Sequence, residues 1–93
     1  MNTEDRLRAI EYQLIKSLNP TSLTVKDEGK HHVGHAGAST GAGHFSVSIV
    51  SNDFKGKTLV ERHRMVYDAV TDLLKNDIHA LKIDAKTQEE SKG

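Results

Sequence analysis

Six histidines stand in a chain of 93 residues that contains no cysteine. His31, His32 and His35 fall close together, while His44, His63 and His79 are spread along the rest. Imidazole is the commonest side-chain ligand for borderline metals, and a neutral ring at a surface can ligate without being buried. With no thiolate available, a metal must be held by imidazole, by carboxylate, or by groups that a partner brings. His32-x-x-His35 lies in a glycine-rich run able to aim two rings at an incoming ion. The competing reading is that loop histidines are simply solvated, as polar loop residues usually are. No Gly-rich phosphate loop, recognisable carboxylate pair, or nucleophile with a base at diagnostic spacing is present, so catalysis is not expected.

The elements that must position these rings follow from periodicity. Leu7, Ile10, Leu14 and Leu18 recur at helical spacing, widened by Ile15, with Thr3 as the expected N-cap and Asn19-Pro20 as the stop. Leu23 and Val25 alternate with Thr24 and Lys26, and Phe45, Val47 and Ile49 alternate with Ser46 and Ser48, giving two strands. Between them Glu28 to Gly43 holds five glycines and three histidines, too long and too glycine-rich to pack alone. Asn52-Asp53 and Lys55-Gly56 make a polar turn around Phe54. Thr58 with Glu61 forms a capping box that opens a helix carrying Leu59, Val66, Val70 and Leu73 and ending near Asn76. A third strand over residues 78–85 places Leu81 and Ile83 on one face.

Strands one and two can close as a hairpin, and the long helix can serve as a crossover to a parallel third strand. Parallel strands start at the same end. His79, opening strand three, is therefore expected on one rim with His44, which opens strand two, and with the loop bearing His31, His32 and His35. His79 shares parity with Leu81 and Ile83, so its alternative role is to cap the edge of the core. His63, between two arginines in mid-helix, is expected to be structural or part of a basic surface.

Lys plus Arg and Asp plus Glu each number 13, a net charge of zero, which argues against a dedicated nucleic-acid binder. Lys55, Lys57, Arg62 and Arg64 nevertheless make a modest basic cluster able to touch phosphate, interrupted by Asp53, Glu61 and Asp68. No apolar run has the length of a membrane span and no signal-peptide pattern appears, so a soluble, cytoplasmic protein without a membrane association is expected. One domain is expected over residues 1–86, followed by a polar tail over residues 87–93 that frays.

Ile49-Val50-Ser51 with Phe54-x-Gly56, Arg62-His63-Arg64-Met65-Val66-Tyr67, and Ile78-His79-Ala80-Leu81 resemble, in order and spacing, the signature of the BolA family. Asp27-Glu28 ahead of His32-x-Gly34-His35-x-Gly37, and Gly43-His44-Phe45, resemble its histidine-loop subgroup. The family's usual Thr-Pro ending with a following Trp is reduced here to Thr87-Gln88. The resemblance implies an α+β, class II KH-like fold of order αββααβ, with a three-stranded mixed sheet and helices packed on one face. It implies a non-enzymatic adaptor that forms a heterodimer with a monothiol glutaredoxin and co-ligates a bridging 2Fe-2S cluster with glutathione, in cluster trafficking or iron regulation. Alone, the chain would be a monomer with no tightly bound cofactor. His79 would be one metal ligand, and His32, His35 or His44 the second, with His35 preferred. The alternative function that the family suggests is a DNA-binding transcriptional regulator of stress or cell-morphology responses.

Overall fold

The computed structural model describes residues 2–28 and 43–92. The first helix, α1, spans Thr3–Leu18. Its N-cap is Asn2 rather than Thr3: the Asn2 side chain accepts the Asp5 N–H at 2.8 Å, leaving Thr3 as the first helical residue. Asn19 closes the helix in the left-handed region, with φ 48° and ψ 54°, a conformation that asparagine tolerates better than most residues. Ile10, Leu14 and Leu18 are buried, whereas Ile15, expected to widen that stripe, is 55% exposed.

Strands β1 (Ser22–Asp27) and β2 (Gly43–Val50) are antiparallel, and β3 (Ile78–Lys86) runs parallel to β2, giving the order β1-β2-β3. Each β2 residue of the set Phe45, Val47 and Ile49 lies beside Leu81, Ile83 or Ala85 of β3. Their shared face meets the buried residues of the helices. Thr24, Ser48, Lys82 and Asp84 occupy the opposite face and are exposed, as strand alternation requires when only one side of a sheet is covered.

After β2 the chain turns through a single 3-10 helical turn, Asn52–Phe54. Buried Ser51 donates its hydroxyl to the Leu18 carbonyl and accepts the Asp53 N–H at 3.0 Å. It thereby satisfies one of the carbonyls that the end of α1 leaves without an intrahelical donor. Phe54 is fully buried although its neighbours in the turn are polar. Gly56 then takes φ +75°, a conformation open to glycine at little steric cost.

The helical segment divides into α2 (Leu59–Ala69) and α3 (Thr71–Leu74), broken at Val70. The expected capping box is present, with Thr58 and Glu61 exchanging bonds of 2.8 and 3.1 Å. The expected stripe is corrected at its start. Leu59 and Val60 are 65% and 66% exposed, while Arg62, Val66 and Val70 are buried. The guanidinium of Arg62 occupies the inward side of this first turn. Its Nε donates to the Lys57 carbonyl at 3.0 Å and Nη1 to the Ala85 carbonyl at 3.2 Å.

Residues 87–92, which the sequence leads one to expect as a frayed tail, are instead held to the domain. Gln88–Lys92 form a short helix, α4. Thr87 is buried, and it exchanges capping bonds with Glu90: the Thr87 N–H donates to Glu90 at 2.8 Å, and the Glu90 N–H donates to Thr87 at 3.2 Å. Both Glu90 oxygens also accept from Arg62, at 2.6 and 3.1 Å. The Arg62 hydrogen bond, followed by that of the Thr87 backbone, holds the Glu90 carboxyl down to about 2 from a usual 4.5. A carboxylate depressed on folding stabilises the fold fully above its unfolded value and progressively less as pH falls through its folded one. The latch on α4 should therefore persist at neutral pH and open between about 4.5 and about 2. A carbon-detected NMR titration of the Glu90 carboxyl should show its midpoint near the lower limit, and a midpoint above 4 would refute the latch.

Candidate metal centre at the strand rim

The rim is built where β2 and β3 begin. Gly43 sits opposite Ile78, but His44 sits opposite Ala80, so β3 holds one residue more than β2 between these pairs. That surplus residue is His79. The shift makes Ile78 the buried residue at this end and leaves His79 and Ala80 both exposed. The parity that would have turned His79 toward the core is thus broken, as bulges do. Gly43 has its own reason to be glycine: a Cβ there would lie 2.6 Å from the Phe45 ring. Its N–H donates to the Asp77 carbonyl at 3.1 Å, tying β2 to the turn before β3. That turn is held in place by Arg6 of α1, whose Nε lies 3.3 Å from an Asp77 carboxylate oxygen.

The rings of His44 and His79 meet with centroids 5.0 Å apart and planes inclined by 40°. Two imidazoles bound to one tetrahedral ion through nitrogens ~2 Å away would set their centroids about 5 Å apart, so the spacing fits a common ion. His44 is half-buried, and its carbonyl accepts the Glu28 N–H at 2.8 Å, which extends the β1–β2 ladder to the rim. Among the described residues no group of three or more His, Cys, Asp or Glu side chains could hold a metal ion. Among the described residues the rim brings two imidazoles together. His31, His32 and His35 lie outside the described residues.

His63 is exposed on α2. Of the basic cluster, Lys55, Lys57 and Arg64 are exposed, but Arg62 is 7% exposed and committed to two carbonyls and Glu90. Arg62 is therefore corrected from a candidate phosphate contact to a structural residue. Neither this role nor the terminal helix is expected from the sequence, although Thr87-x-x-Glu90 repeats the capping-box spacing of Thr58-x-x-Glu61.

The model for BolA-like proteins matches residues 14–90. The chain belongs to the BolA-like family. It is similar to SufE-like protein 1, chloroplastic/mitochondrial, of Arabidopsis thaliana, at 46% identity over 86 residues that cover 87% of this chain and 23% of that protein. This chain therefore corresponds to under a quarter of that relative's length. It is also similar to the DNA-binding transcriptional regulator BolA of Escherichia coli (strain K12), at 36% identity over 84 residues, covering 90% of this chain and 77% of the relative. Among solved structures, the BolA domain of SufE1 from Arabidopsis thaliana superposes with a TM-score of 0.80 at 43% identity, covering 97% of this chain and 98% of that one. The mixed three-stranded sheet with its helices is thus a BolA-like fold. Among the described residues no helix is long and apolar enough to cross a membrane.

Proposed function

We propose that this BolA-like chain is a non-enzymatic adaptor that shares a 2Fe-2S cluster with a monothiol glutaredoxin and its glutathione. One observation carries the reading: imidazoles from two different strands, His44 and His79, meet at an accessible rim with the spacing of ligands to one metal ion. Rieske-type centres likewise carry two ring nitrogens on one of their two irons, where imidazole replacing thiolate raises the cluster potential. The cluster supplies electron and iron-sulfide chemistry when bound. The chain supplies the ring pair and the strand irregularity that carries His79, and it brings no thiolate of its own. His79 and His44 are assigned as the ligands. His44 is assigned because its ring lies beside that of His79, while His35, which the family resemblance favours, lies outside the described residues. The setting is the cytoplasm, where a glutathione pool is maintained.

The test mixes the chain with cluster-loaded monothiol glutaredoxin and follows visible absorbance and circular dichroism. A heterodimer with a spectrum distinct from the glutaredoxin's own is expected. His79→Ala and His44→Ala should each abolish or shift that spectrum, while His35→Ala leaves it unchanged. Mutant spectra identical to wild type would overturn the ligand assignment, and absence of any heterodimer would overturn the function.

The name of the Escherichia coli relative and three exposed cations, Lys55, Lys57 and Arg64, favour a second reading as a DNA-binding regulator. Duplex binding that weakens steeply with salt and requires those three side chains would promote it.

A further inference from the structure

The two outer strands of the sheet are finished differently. Backbone polar groups alternate sides along a strand. In β3 the Lys86 carbonyl accepts from Ser51, which follows β2, so Leu81 and Ala85 turn their carbonyls away from the sheet. Both are met by side chains of α2: Tyr67 donates its hydroxyl to Leu81 at 3.2 Å, and Arg62 donates to Ala85 at 3.2 Å. Two of the outward acceptors along this edge are thus already occupied by side chains.

In β1 the bond from Glu28 N–H to the His44 carbonyl fixes the same alternation. Ser22, Thr24 and Lys26 bond to β2, and the backbone groups of Leu23 and Val25 point outward. Among the described residues nothing bonds to those groups. The side chains of Leu23 and Val25 are only half-buried. An edge with unpaired N–H and C=O groups and partly exposed apolar side chains is a template for a further strand.

We propose that β1 pairs antiparallel with β1 of a second copy of this chain, joining two three-stranded sheets about a twofold axis at Thr24. The sequence Ser22-Leu23-Thr24-Val25-Lys26 is self-complementary in that register. Leu23 faces Val25 of the second copy on the core side, twice over. Each such pair exchanges both of its backbone bonds, because both residues present outward groups. On the open face Thr24 meets its own copy, and Ser22 meets Lys26, so no like charges are opposed. Moving the axis to Val25 would set Leu23 against Asp27, which disfavours that register. The contact is short, so the monomer expected from the sequence is the dilute state and the dimer forms as concentration rises.

The experiment uses the whole chain without glutaredoxin, so its outcome is separate from that of the cluster reading. Thr24 is exposed on the open face, and its replacement leaves the core untouched. Thr24→Glu and Thr24→Lys each set like charges across the axis. Sedimentation velocity over a concentration series should show a wild-type dimer, weaker self-association in each variant, and recovery in an equimolar mixture of the two. In wild type, amide exchange at Leu23 and Val25 should slow as concentration rises. A wild type that stays monomeric at every concentration overturns the proposal. So does a dimer indifferent to both variants, or a mixture that fails to recover.

Discussion

Phe54→Ala is expected to destabilise the domain by about 3–5 kcal/mol, the usual cost of emptying a fully buried aromatic site. Domains of this kind have only about 5–15 kcal/mol in total, so a large part of the stability rests on one side chain in a polar turn. Phe54 is 0% exposed and belongs to the same cluster as Ile10, Val47 and Val66. The residues around it, Asn52, Asp53, Lys55 and Lys57, are exposed and bury no apolar surface in its place. The turn also delivers the Lys57 carbonyl to Arg62, and the Phe54 carbonyl accepts the Lys57 N–H at 3.0 Å. Urea denaturation should show a lowered midpoint with the slope little changed, and Phe54→Leu should recover much of the loss. A midpoint unmoved by the alanine variant would mean that the turn does not depend on its anchor.

Arg62→Ala should act on a different part of the molecule. It removes the donor to two carbonyls, Lys57 and Ala85, and the bidentate partner of Glu90. Leaving buried acceptors without a donor costs about 1–3 kcal/mol each at most. The exposed Glu90 pair adds its effect through α4 rather than through the core. Amides of α4 should lose protection from exchange, and the Glu90 carboxyl should return toward the ordinary carboxylate range. Arg62→Lys should not rescue these effects, because an ammonium lacks the planar fork that serves two carbonyls and a carboxylate together. Full rescue by lysine would show that charge alone holds α4.

Much of this fold is legible in the sequence because apolar period and strand parity act locally. Phe45, Val47 and Ile49 announce a half-covered strand, and Thr58 with Glu61 announces a helix start. The crossover rule then brings the start of β3 beside the start of β2, and with it His79 beside His44. What the sequence does not disclose is tertiary. Arg62 reads as a surface cation until three chain segments supply it with acceptors. Leu59 reads as core until that guanidinium takes the inward position. The tail looks too polar to be held, and it is held by a carboxylate whose partner lies 28 residues earlier. The extra residue in β3 has no local signature at all.

That extra residue separates two obligations that a regular strand would lock together. In an even ladder, rotating His79 outward would drag Leu81 and Ile83 with it and invert the core. Here the phase of the strand is reset within a single step, after Ile78 and before Ala80. The hydrophobic interior is thus insulated from changes at the rim, and a side chain there can be exchanged while the fold beneath keeps its register.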